Sequence, residues 1–132
     1  MDSYAIVKTM AEYSHSIDDG RLDDLAALFA QNAVLNIPSY SIRIEGRAAI
    51  REQFGKMWDP NVKGTHCAVN PEIDVSGNSA TGIFDFMWLD LNGPPKLGPV
   101  GRYRCKFIKE SDRWRFQEFT AEVRSQFNAA QN

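Results

Sequence analysis

Ile6-Val-Lys-Thr-Met-Ala-Glu-Tyr-Ser-His-Ser-Ile-Asp18, then Asp19-Gly20, then Leu22-Asp-Asp-Leu-Ala-Ala-Leu-Phe29, is the stretch on which the fold turns. Stepped at about 100° per residue, the run Ile6 to Asp18 puts Ile6, Val7, Met10, Ala11, Tyr13, Ser14, Ile17 and Asp18 within one arc of roughly 160°. Lys8, Thr9, Glu12, His15 and Ser16 fall outside it. The pattern predicts an amphipathic helix whose buried stripe includes Asp18. Gly20 is placed to close that helix, and Leu22 to Phe29 reads as a second one with Asp23 and Asp24 in its first turn. A carboxylate without a partner on an apolar stripe costs several kcal/mol, so a partner must come from elsewhere in the chain. His66, Tyr13 and a late arginine are the candidates.

The rest of the chain divides by period. Ala33 to Ile37 is a short strand stopped by Pro38, with a loop through Ser39, Tyr40 and Ser41. Ala49, Ile50, Phe54 and Met57 have helical spacing within Arg47 to Met57, a third helix. From His66 onward the period is two. Ala68 to Val75 and Ala80 to Leu91 form a hairpin about Ser76-Gly77-Asn78. Asn92 to Pro95 makes a longer connection, and strands follow at Val100 to Lys109 and Arg113 to Arg124. The tail Asn128 to Asn132 reads as frayed. Helices first and sheet afterwards predicts an α+β fold: a cone-shaped roll of three N-terminal helices on a strongly curved antiparallel sheet, enclosing a pocket.

Composition narrows the function. One domain of 132 residues is expected, with 43% hydrophobic and 24% charged residues and a net charge of −2. That balance gives no reason to expect nucleic acid or a membrane as partner. No apolar run reaches about 18 residues and the N-terminus lacks a basic leader, so the chain reads as soluble and cytoplasmic. Cys67 and Cys105 read as reduced, buried thiols. Two histidines without zinc-type spacing give no metal site. No nucleophilic serine motif, phosphate-binding loop or dinucleotide glycine pattern occurs, which argues against acyl-enzyme hydrolysis and nucleotide chemistry, and no cofactor is expected.

His66 opens the first long strand. Alone it is more often structural than catalytic, but a carboxylate at one imidazole nitrogen fixes the tautomer and raises the basicity of the other, which makes a general base. His15, the rival partner for Asp18, lies just outside the arc and reads as a surface residue. Tyr13 lies five residues before Asp18, so the two side chains diverge by about 140° yet can border one pocket. Its hydroxyl is either a core group at the rim or a donor to a developing enolate. Phe84, Phe86 and Trp88 share a strand face, Trp114 and Phe116 sit on the last strand, and Phe54 and Trp58 lie about the third helix. Residue by residue these aromatics read as core, although together they exceed what a small core needs, so that some would line a substrate cavity. Arg102, Arg104 and Lys106 read as a solvated outer sheet face, as do Arg113 and Arg115. Arg124, at the end of the last strand, could reach a carboxylate or substrate anion across the pocket mouth.

The segment Tyr13 to Phe29 running to Ala33-Val34-Leu35, Gly46 to Arg51, Thr65-His66, Asn70 to Ile73, Gly77 to Thr81, Trp114-Arg115-Phe116 and Val123-Arg124 together resemble SnoaL-like proteins of the nuclear transport factor 2-like superfamily. The motif is most similar to the bile-acid 7α-dehydratase and scytalone dehydratase branch. That resemblance implies Tyr13, Asp18, His66 and Arg124 as catalytic residues and a homodimer through the sheet. Scytalone dehydratase has a tyrosine where Ile17 stands and a second histidine without counterpart near Gly98 to Arg102. Ketosteroid isomerases share Tyr13, but Ile37 and Gly101 stand near their two catalytic acids. The expectation is a lyase that abstracts a proton next to a carbonyl of an apolar cyclic molecule. Isomerisation or cyclisation by the same residues, or a non-catalytic binding or dimerisation domain, are the alternatives.

Overall fold

The computed structural model describes residues 1–125, so the tail expected to fray lies outside the described residues. Helix α1 (Asp2–Asp18) ends as its glycine requires. Gly20 takes φ +68°, the Gly20 N–H bonds to the Ile17 carbonyl and the Arg21 N–H to that of Ser16, the paired bonds of a left-handed helix stop. Helix α2 (Leu22–Ala27) follows at once. The sequence puts Phe29 at the end of this helix, but it instead begins strand β1 (Phe29–Ile37). Phe29 packs against Phe116 at 5.1 Å between ring centroids, a contact that local pattern does not encode.

A 3₁₀ turn (Pro38–Tyr40) leads into β2 (Ile42–Glu45), a strand in addition to those expected from the sequence. Ile42 and Ile44 alternate with exposed Arg43 and Glu45, so the period is present but only four residues long. Helix α3 spans Arg47–Met57. Four long strands complete the chain: β3 (Gly64–Ser76), β4 (Ser79–Asp90), β5 (Lys96–Glu110) and β6 (Arg113–Val123).

The architecture is α+β, three helices on a six-stranded sheet of order β2-β1-β6-β5-β4-β3 that does not close. The expected antiparallel sheet is in fact mixed. Strand β1 lies parallel to β6, while every other pair is antiparallel. The chain leaves β1, builds α3 and the meander β3 to β6, and returns β6 into the slot beside β1. Which strand fills that slot is a long-range outcome that strand periodicity cannot carry. The ladder shifts register between Val69 and Glu72, between Met87 and Leu89, and between Lys106 and Phe107. Such bulges bend strands and so curve the sheet round the helices. At the first of them Asn70 adopts φ 53° beside Pro71, and its side-chain amide donates to Asp85 at 3.0 Å.

The core fills the concave side. Ile6, Met10, Leu25, Leu28, Phe29, Leu35, Ile50, Phe84, Phe107, Phe116 and Phe119 are fully buried. The buried arc of α1 is rotated from the expected one: Thr9 and Ser16 are buried and Ala11 is exposed. Thr9 goes inside because its hydroxyl has acceptors there, the Ala5 carbonyl at 3.2 Å and that of Trp114 at 3.1 Å, to either of which its one proton can be donated. Cys105 is buried and Cys67 half-buried, both as free thiols. On the opposite face of the sheet, Arg102 pairs with Asp85 at 2.9 Å, Arg104 with Glu122 at 3.0 Å and Lys106 with Glu118 at 3.0 Å. No helix of the described residues is long and apolar enough to cross a membrane.

Candidate functional site

Asp18 is the last residue of α1, where the helix dipole disfavours a negative charge. Three donors offset that. The Thr65 hydroxyl donates to Oδ2 at 3.1 Å, the His66 backbone N–H lies 3.1 and 3.0 Å from the two oxygens, and His66 Nδ1 is 2.6 Å from Oδ1. Strand β3 is a sheet edge, and the backbone N–H of His66 on that open side needs an acceptor. The carboxylate fills this role as well as holding the ring. Side-chain exposure falls to 14% for Asp18 and 24% for His66, low enough to strengthen the pair yet open enough for a small molecule to reach the ring.

Because the carboxylate oxygens accept, Nδ1 carries the proton and Nε2 keeps its lone pair whenever the ring is neutral. Nε2 has no hydrogen-bond partner among the described residues, and His66 borders a cavity of about 340 Å³. Tyr13, Ile17 and Asp18 of α1 line this space, with Phe54 and Met57 of α3 and Trp58 just beyond it. Phe86 and Trp88 come from β4, Tyr103 from β5, and Ala121 and Val123 from β6. Thus Tyr13 and Asp18 border one cavity although they diverge on the helix.

Two expected members stand elsewhere. Phe84 is in the packed core, 1% exposed, and does not border the cavity. Phe86 and Trp88, one and two steps further along the same face, line the cavity instead. Arg124 lies on the outer face of the sheet, 49% exposed, with Nη2 3.5 Å from Glu122. Alternation explains it: Ala121 and Val123 take the cavity side of β6, which leaves Glu122 and Arg124 pointing away.

Two residues that sequence reasoning did not single out belong here. Thr65 holds the second carboxylate oxygen, and its only signal was its place beside His66. Tyr103 had a clearer one, since an outward Arg102 and Arg104 require the residue between them to face inward. Its ring stacks on Phe86 at 4.4 Å and 7°, and meets Tyr13 edge-on at 5.9 Å. Burial drives the Tyr13 phenol well above the ordinary range, reinforced by Cys105 and Asp18 and only partly offset by a hydrogen bond from Tyr103. Burial raises Tyr103 likewise, and the Cys105 thiol with it. Both phenols therefore remain neutral donors at working pH.

Unfolded tyrosine ionises near 10 and unfolded cysteine near 8.5, whereas the folded groups hold their protons to higher pH. Stability is complete below the unfolded values and falls as pH rises through and beyond them. Denaturant titrations between about pH 8 and 11 should show this decline, and Tyr103→Phe should make it shallower. A stability flat across that range in the unaltered protein would contradict the burial of these phenols.

No curated protein matches the sequence. Solved structures do match in fold. A protein of unknown function with a cystatin-like fold from Nostoc punctiforme has a TM-score of 0.86 at 19% identity, covering 96% of this chain and 93% of its own. A scytalone dehydratase-like protein from Novosphingobium aromaticivorans has a TM-score of 0.81 at 20% identity, covering 97% and 89%. A nuclear transport factor 2-like superfamily protein from Salmonella enterica has a TM-score of 0.79 at 21% identity, covering 98% and 96%. The model of the SnoaL-like domain matches residues 1–120, a span that holds the three helices, Asp18, His66 and all the lining residues but Ala121 and Val123, and the chain belongs to that family.

Proposed function

We propose that the chain is an acid–base enzyme of dehydratase type, acting next to a carbonyl of an apolar cyclic small molecule. The observation that carries this reading is the 2.6 Å contact between Asp18 and His66 Nδ1, which leaves Nε2 free at a largely apolar cavity. Nε2 takes the proton from the carbon beside the carbonyl, and the electron pair of that C–H bond moves onto the carbonyl oxygen. The neutral Tyr13 hydroxyl donates to this oxygen as it becomes an enolate. When the enolate collapses, a new C=C bond forms, a hydroxyl on the next carbon leaves, and it takes the proton back from the imidazolium as water. Asp18 balances the charge on His66 in between. The scytalone dehydratase-like neighbour favours dehydration among these reactions.

Proton exchange on a bicyclic ketone such as tetralone tests the proton-abstraction step. Deuterium entering the position next to the carbonyl faster than in buffer is the expected result. No acceleration would remove the acid–base reading and leave a binding domain. With hydroxylated ketones, product mass separates loss of water from isomerisation or cyclisation, which conserve mass. A homodimer through the outer sheet face belongs to the same reading, and sedimentation at micromolar concentration tests it.

A further inference from the structure

We propose that the cavity accepts ring compounds without an acidic group and rejects their carboxylate counterparts, with Asp59 at the mouth setting that selectivity. The inference rests on the reading above for the location of the ligand but not for its chemistry. No lysine or arginine lines the cavity among the described residues, and residues 126–132 include none. The guanidinium nearest in sequence to the lining of β6, that of Arg124, is turned to the outer face, and Arg102 is held there by Asp85. The two carboxylates that line the cavity are those of Asp18 and Asp59.

Their roles differ. Asp18 is engaged by Thr65 and by both the backbone and ring of His66. Asp59 is exposed, and the one hydrogen bond of its carboxylate among the described residues is accepted by Oδ1 from the Asn61 N–H at 2.8 Å. An incoming anion therefore meets an uncompensated like charge and then loses its water with no cation to replace it.

The walls act in the same sense. The Trp88 indole lies against Gly64 and Gly98, where a Cβ on Gly98 would come within 2.7 Å of the ring, and the Trp58 indole lies against Gly20. Missing side chains on three glycines thus let two tryptophans that line the cavity pack closely on backbone. Indole faces carry the negative end of the ring quadrupole, which repels anions and suits stacking of a flat ring. A space of about 340 Å³ is at the small end of ligand sites, on the order of a dozen water volumes.

Quenching of tryptophan fluorescence measures the claim directly, because Trp58 and Trp88 line the cavity while Trp114 is buried with its indole N–H on Asp2. Tetralone and naphthoate are matched probes, one neutral and one anionic. Tetralone should bind at least about tenfold more tightly than naphthoate at low salt. Asp59→Asn should narrow that ratio and Asp59→Lys should bring it close to one, with the gap shrinking as salt is raised. Naphthoate binding as tightly as tetralone, tetralone showing no binding, or an unchanged ratio in a folded Asp59→Lys would overturn the proposal. Deuterium exchange keeps the two readings apart. A ratio that holds without exchange defeats the enzyme, and exchange without the ratio defeats the charge selectivity.

Discussion

His66→Gln is expected to slow proton abstraction by about 10²–10⁴, the range typical of a lost general base, while the protein stays folded. Glutamine keeps a polar side chain that can still donate to Asp18 from its amide, so the partners Thr65 and the residue 66 backbone N–H remain in place. What disappears is the basic nitrogen aimed at the cavity. The loss should fall on kcat and kcat/KM together, since Nε2 acts only as the C–H bond breaks. Binding of tetralone, read by fluorescence, should change little. Turnover kept within a few-fold of the unaltered enzyme would assign the proton transfer to another group.

Asp18→Asn should cost at least about 10² in rate, and also some stability. One amide oxygen replaces two carboxylate oxygens that receive three donors, and the amide N–H₂ is a donor itself. If that N–H₂ faces the ring, Nδ1 must accept, the proton moves to Nε2, and the lone pair that abstracts protons is gone. Hydrogen bonds to a charged group are each worth about 1.5–3 kcal/mol, so a loss of that order is expected in denaturant titrations with an unchanged m-value. The combination matters. A stability loss with normal turnover would reduce Asp18 to a cap on the edge of β3.

Much of this arrangement was legible because the signals are local. Helix α3 follows its apolar spacing from Arg47 to Met57, and Gly20 marks the stop after α1 with a positive φ. An acid on an apolar stripe demanded a partner, and His66 stands 2.6 Å from it. The illegible parts are long-range or parity effects. Phe29 looks helical beside Leu25 and Leu28 until Phe116 is packed on it from the last strand. The parallel pairing of β1 with β6 depends on the return of the whole meander. Thr9 falls outside the apolar arc in sequence because its acceptor, the Trp114 carbonyl, lies 105 positions away. Arg124 was placed by its position at the strand end, where alternation along β6 was the better guide. Tyr103 was overlooked between two arginines whose outward direction already implied its inward one.

The central claim is that Asp18 fixes a proton on Nδ1 of His66 and leaves Nε2 unprotonated toward the cavity. Nitrogen-15 NMR of the imidazole, followed by long-range coupling to the ring protons, reads the two nitrogens separately. On the neutral ring the account predicts a protonated Nδ1, a bare Nε2, and movement of the Nε2 signal when tetralone is added. In Asp18→Asn the preference should weaken or reverse. A neutral His66 carrying its proton on Nε2 in the unaltered protein would contradict the account, whatever the fold.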